Sequence, residues 1–358
     1  MSSPLHSFFR SSITSKGIFR AGVASAVLLL MVAGVNSLPR LSVEQSLPCR
    51  TCHINPNGGG MRTEFGNHAV ALHELCLPVT RDAIASKAIS PRVAPALLVG
   101  FDSRYLVRDD YSVLRMQTDF YADINPWPQF HYALRFSESG ITESYGLLYF
   151  RDEHYYVKLG RFYPVYGLRD ADHTAFVRAR AGLSPQLYQD GISIGADIKG
   201  LNIVGEVFDA SGRSIVGGHL YCVHNRFGIG TLAGASVRMS ERIDGKTGAF
   251  PHTRALFGGL SWDRFTLMGE ADLVGFSSDT LITFANLTTR LTYGLYLVGE
   301  YNFFDGDRHV LGDVDEFVRF SCEVFPLPYV EVRPSYTYYT RGALEETDDF
   351  FVQVHLGY

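Results

Sequence analysis

The chain has 358 residues, 46% of them hydrophobic and 19% charged, with a formal net charge of -5. That acidity lacks the basic footprint of a nucleic-acid-binding protein, so nucleic acid is not expected as a partner. Twenty tyrosines and 25 phenylalanines are an aromatic load that suits membrane interfaces.

Residues 1–37 carry Arg10, Lys16 and Arg20 with no acidic residue, then the apolar run Ala21–Val35 and a small-residue exit at Asn36-Ser37. This is the pattern of a secretory signal peptide. The run is short of the roughly 20 residues of a spanning helix. Cleavage near Ser37 would remove three positive charges, taking -5 to -8.

Residues 38–95 form a second section, whose informative feature is Cys49-Arg50-Thr51-Cys52-His53. Two cysteines two residues apart, followed by histidine, are what covalent attachment of a c-type haem requires. A single helical turn sets both thiols along one porphyrin edge for the vinyl groups, and His53 is aimed at the iron. A structural zinc site is the alternative; it needs two more ligands, with Cys76, His68 and His73 within sequence reach. Haem attachment to cysteines follows export, which agrees with the leader, whereas a cytosolic zinc site has no use for one. Helix-compatible segments, the loop Asn55-Pro-Asn-Gly-Gly-Gly60 and the prolines Pro78, Pro91 and Pro95 complete the section. It is too small for a large core, and one bound haem c would supply apolar surface that it lacks.

The sixth ligand of the iron has several candidates. His68 ranks first, then His73 and Met61; the i, i+5 spacing of the two histidines keeps them off one helical face. Met61 follows three glycines that allow close backbone approach, and a methionine ligand would raise the reduction potential. His131 and His355 take an inward phase further along the chain and complete the set.

Residues 96–358 alternate apolar and polar residues in runs of about eight to twelve. Leu114, Met116, Phe120, Ala122 and Ile124 share one face; Arg115, Gln117, Asp119 and Asp123 share the other. A soluble sandwich also alternates. Three features favour a barrel. Short links near Asn125–Pro128, Asp152–His154, Lys199–Gly200, Asn225–Phe227, Trp262–Arg264, Thr292–Gly294 and Pro326–Pro328 interleave with longer ones such as Gly167–Gln189, Ser240–Thr253 and Asp305–Asp315. The tyrosines and phenylalanines suit interfacial girdles. The chain ends on an alternating strand that closes with aromatic Tyr358. The expected fold is mainly β: an antiparallel outer-membrane barrel of about 16 transmembrane strands, preceded by a small helical c-type haem domain.

The phase opposite the apolar residues predicts a charged lumen lined by Arg104, Arg115, Asp119, Arg135, Lys158, Arg161, Asp197, Glu206, Glu270, Asp272, Glu300, Arg319, Glu323, Glu331 and Arg333. The long link Gly167–Arg180 carries Arg169, His173, Arg178 and Arg180, which would form an anion-attracting constriction if it folds inward and an external loop if it does not. No nucleophile elbow, phosphate loop or HExxH motif points to a hydrolase or transferase.

The leader, the haem motif followed by Asn55-Pro-x-Gly-Gly-Gly-Met-Arg62 and the C-terminal barrel together resemble fused outer-membrane monohaem cytochrome-porins. Members of that class include fusions implicated in oxidising extracellular ferrous iron. The resemblance implies electron transfer across the outer membrane, between an extracellular small redox species and a periplasmic cytochrome or other carrier, with the haem domain periplasmic or in the lumen. The alternative is a solute or ion transport porin with a haem plug or sensor domain.

Overall fold

The computed structural model describes residues 39–84, 90–108, 112–168, 175–182, 187–209, 213–242, 252–275, 279–310, 312–341 and 347–357. The leader, Tyr358, Arg169, His173 and the side chain of Arg178 lie outside the described residues.

Strict two-residue alternation over Leu201–Asp209 leaves Leu201, Ile203 and Val207 exposed and Asn202, Glu206 and Phe208 buried. A strand built this way turns one face to hydrocarbon and the other to an interior. After a short strand β1 (Arg92–Ala94), sixteen strands make the barrel, most of them alternating in this way: β2 (Leu97–Arg108), β3 (Val113–Trp127), β4 (Phe130–Ser137), β5 (Gly140–Phe150), β6 (Tyr155–Phe162), β7 (Gln189–Ile198), β8 (Leu201–Asp209), β9 (Arg213–Arg226), β10 (Ile229–Arg242), β11 (Thr253–Trp262), β12 (Phe265–Val274), β13 (Thr280–Thr292), β14 (Leu295–Asp305), β15 (Val314–Leu327), β16 (Val330–Arg341) and β17 (Asp348–Gly357).

Each barrel strand pairs antiparallel with its sequence neighbour, and β17 returns to β2 in the register Val352↔Val107, closing the barrel. Closure removes every free edge, which a sheet in lipid cannot leave unpaired. All seven expected short links are turns within a residue or two of their expected positions, for example Lys199–Gly200 between β7 and β8 and Asp263–Arg264 between β11 and β12. They lie at one end of the barrel; most links at the other end are longer, the exceptions being two residues between β4 and β5 and three between β8 and β9.

Inside, charge is held in pairs. Arg104, Asp119, Lys158, Asp197, Glu206, Glu270, Asp272, Glu300, Arg319, Glu323, Glu331 and Arg333 are buried, and Arg135 nearly so, as the phase predicts. Arg115 and Arg161 depart from it. Arg115 reaches the rim and pairs with Glu138, half exposed. Arg161 is on the outer face: alternation from buried Lys158 turns Gly160 and Phe162 inward, and Arg161 pairs outward with Ser144.

The segment before the barrel packs against its inner wall. It comprises α1 (Pro39–Gln45), α2 (Cys49–Cys52), a π-helix (Gly66–Leu75) and α3 (Pro78–Ile84). Val43 of α1 is fully buried in one cluster with Tyr221, Leu232, Phe257 and Met268 of the wall. Arg40 pairs with Glu323 and lies 4.1 Å over the Tyr296 ring. The pair extends through Arg333 to Glu300 and Arg319, so the helix is tied into a ladder of alternating charge on β14–β16. At the short-turn end, the Leu77 amide donates to the Phe325 carbonyl at 3.1 Å.

Candidate functional site

The turn of α2 exists because the His53 amide donates to the Cys49 carbonyl at 3.0 Å and the Thr51 amide to the Pro48 carbonyl at 3.0 Å. It brings Cys49, Cys52 and His53 to the wall of one cavity. Next comes Asn55–Gly60, whose last three glycines all take positive φ, +80°, +69° and +66°. Side chains are costly there, and glycine is not. The run reverses the chain so that the Ile54 amide donates to the Met61 carbonyl at 3.0 Å and Arg62 lies beside His53 in a β-bridge. Gly66 then lets the π-helix approach: a Cβ there would sit 2.3 Å from the Cys52 carbonyl oxygen.

The turn is anchored to the barrel. Arg50 pairs with Glu153 at 3.2 Å and Asp197 at 3.6 Å, and the Tyr221 hydroxyl donates to Cys49 Sγ at 3.6 Å. Tyr156 donates to Asn57 Oδ1 at 3.0 Å.

The cavity lies between the N-terminal segment, the wall of β9–β11 and the link after β6, and is partly open to solvent. Apolar groups such as Leu41, Val70, Leu75, Leu232 and Phe257 make up much of its lining. The link after β6 folds inward and forms one side. Its Val165 and Leu168 amides donate to Glu206 and Glu270 at 2.8 and 2.6 Å, and the Gly167 amide donates to Ser236 Oγ at 3.0 Å. Further on, the Phe176 amide donates to Asn302 Oδ1 at 2.8 Å. Arg180, further along this link, is half exposed; it pairs with Asp315 at 2.6 Å and lies 4.7 Å over the Phe304 ring, both on the inward phase of their strands.

Two features of the lining are chemically distinctive. Arg62 is buried, and its Nη1 and Nη2 have no hydrogen-bond partner among the described residues. Such a guanidinium is costly unless an acceptor completes it. Burial holds it down to about 10, with Asp102 opposing. Burial, and next the Cys49 thiol, push Cys52 up to about 11, with Arg62 offsetting part of the rise. At neutral pH Cys52 is therefore a thiol.

The other sequence candidates lie elsewhere. His68 is half-buried on the π-helix, its Nε2 without a hydrogen-bond partner among the described residues, and His73 on the same helix is exposed. Met61 is buried against Ile54, Leu98 and Tyr121. His131 Nδ1 lies 2.8 Å from Asp123, and His355 is flanked by Asp102 at 3.1 Å and Glu331 at 3.5 Å. None of these five lines the cavity. For zinc, no group of three or more His, Cys, Asp or Glu side chains is placed to share an ion among the described residues. Cys76 instead turns its thiol toward the Leu77 carbonyl at 3.5 Å, and burial pushes it up to about 11.

Sequence reading missed His219. It lies in the middle of β9, is buried, and lines the cavity. Its inward phase, shared with Tyr221 and Val223, was the available signal.

Comparison with solved structures places this architecture. OprB of Pseudomonas putida matches with a TM-score of 0.57 at 9% identity, over 78% of this chain and 96% of that one. The barrel has a porin-like fold. OmpT of Vibrio cholerae aligns with a TM-score of 0.54 at 10% identity, over 75% of this chain and all of that one. An anion-selective porin from Comamonas acidovorans gives 0.50 at 9% identity, over 74% and 99%. No protein-family model and no curated protein matches the sequence.

Proposed function

We propose that this chain is a haem-bearing barrel of the bacterial outer membrane, of the cytochrome-porin kind, that passes single electrons between a periplasmic carrier and a small redox species outside. The observation that carries the proposal is the convergence of Cys49, Cys52 and His53 on one largely apolar cavity inside the barrel. The residues fit a c-type haem. Two thiols on one turn are available for the vinyl groups; each S–H would add across a C=C bond, sulfur to one carbon and hydrogen to the other, without net oxidation. His53 supplies an imidazole for the iron. Arg62 supplies the buried donor that a haem propionate requires. When bound, the haem supplies a one-electron couple.

The chain's own residues do the rest. Arg50, Tyr221 and Tyr156 fix the binding turn and loop against the wall. Val70, Leu75, Leu232 and Phe257 give the cavity an apolar lining for a porphyrin face. Short turns mark the periplasmic end of such barrels, and the N-terminal segment packs toward that end. A cofactor at that depth leaves only part of the about 25 Å apolar band to be crossed. An external reductant entering the long-loop end would cover the remainder. Purified protein in proteoliposomes should carry electrons from an external reductant to an enclosed cytochrome; a rate no faster than that of vesicles with haem-free protein would contradict the proposal.

A second reading is solute transport with the N-terminal segment as plug or sensor. The porin-like fold favours it, as does the inward link after β6. Planar-bilayer recordings separate the two: a large ohmic conductance supports transport, a closed pore with a reversible haem couple supports the conduit.

A further inference from the structure

We propose that His219 of β9 is the sixth ligand of the haem iron, so that one axial ligand comes from the N-terminal segment and the other from the barrel wall. The inference rests on the haem reading above. Among the described residues, His53 and His219 are the two histidines that line the cavity. They approach it from different elements, the α2 turn and the wall.

Three observations prepare His219 for this role. First, it is next to an attachment point. The Tyr221 hydroxyl touches Cys49 Sγ, and His219 is the next inward position on the same strand, its ring 5.5 Å from that of Tyr221. A porphyrin edge tethered at Cys49 starts one inward position from this imidazole, a rise of about 7 Å along the strand. Second, its ring is held. It stacks on Phe257 with centroids 5.2 Å apart and planes 11° apart, while Tyr221 meets it edge-on. Third, its far nitrogen is engaged. Nδ1 lies 2.7 Å from Ser236 Oγ, which also accepts the Gly167 amide. An Nδ1–H donated to Ser236 leaves the Nε2 lone pair for a metal, the outer-sphere arrangement that fixes the tautomer of a ligating histidine. Ser236 thereby couples the ligand to the inward link: the hydroxyl that orients His219 also holds Gly167, beside Leu168 on Glu270.

Covalent loading is established first on the wild-type barrel by pyridine-haemochrome assay, and ferric low-temperature EPR and visible spectra are then compared with those of His219→Ala, His68→Ala and His73→Ala. The expected wild-type spectrum is low-spin with two imidazoles. His219→Ala should turn high-spin and return to low-spin on adding free imidazole, while the other two variants keep the wild-type spectrum. Should His219→Ala not assemble, His219→Met should assemble and raise the midpoint potential. A low-spin His219→Ala spectrum identical to wild type, a high-spin wild type, or an unchanged potential in His219→Met overturns the assignment and leaves the haem reading standing. Wild-type protein without covalent haem overturns both.

Discussion

Arg62 is the residue whose environment most needs a missing partner. A buried guanidinium with two terminal nitrogens lacking acceptors costs several kcal/mol unless an anion completes it. If a haem carboxylate does so, Arg62→Leu removes a positive charge beside the cofactor and favours its oxidised form. The midpoint potential should then fall by roughly 50–100 mV, equivalent to about 1–2 kcal/mol at the effective dielectric of a protein interior. Spectroelectrochemical titration checks this; a rise or no change argues against the contact. Cys52 offers a pH test in haem-free Cys49→Ser protein. Burial, the larger cause of its raised thiol, remains when Cys49 is removed, so alkylation of Cys52 at pH 8 should be slower than that of the exposed Cys222 in the same chain, and should accelerate toward pH 11. At this scale the Cys49-x-x-Cys52-His53 motif is readable in sequence, because its spacing is local. His219 is not readable in this way. Phase marks the residue as inward, but its depth, its cavity and its bond to Ser236 depend on pairing between β9 and β10, seventeen positions apart along the chain.

Among elements, α1 is tied to the wall by the buried Arg40–Glu323 pair and by Glu44, which accepts from Thr266 at 2.9 Å and pairs with Arg290 at 3.7 Å. Arg40→Ala would leave Glu323 with only the longer contact to Arg333 at 3.8 Å and would remove the guanidinium over Tyr296. Breaking a buried pair on one side costs on the order of 3 kcal/mol. Amide exchange over residues 39–52 should accelerate by roughly 100-fold while the strands stay protected, since opening is local. Exchange unchanged in that segment would show that packing around Val43 and the Glu44 contacts hold it without the pair. Strands and turns were the most legible elements: period-two alternation gives the phase, and turn residues punctuate it, as at Lys199–Gly200. Arg161 departs from the expected lumen because its charge suggests an inward face while its position, three residues from Lys158 near the strand end, puts it out of phase. The inward course of the link after β6 was undecidable from sequence, because its amides are held by Glu206, Ser236 and Glu270, 41 to 102 positions away.

For the whole molecule, the consequence is a barrel whose lumen is occupied rather than open. The N-terminal segment packs on the inner wall, and residues 165–168 of the link after β6 form a further side of the cavity. Conductance in planar bilayers should accordingly be low in wild type and should rise when Arg40→Ala loosens α1; a wild-type conductance as large as that of an open porin would favour solute transport. The porin-like fold by itself leaves the activity open, because barrels of this kind carry unrelated functions on their internal segments. What decides between conduit and transporter is whether the cavity holds a covalent redox group. The most direct measurement is a haem-stained denaturing gel with a pyridine-haemochrome spectrum of the barrel, matured by cells able to attach haem c and purified beside Cys49→Ser/Cys52→Ser protein. One covalent haem per chain, absent from the double variant, is the predicted result; wild-type protein that assembles as a barrel with no covalent haem would contradict the account.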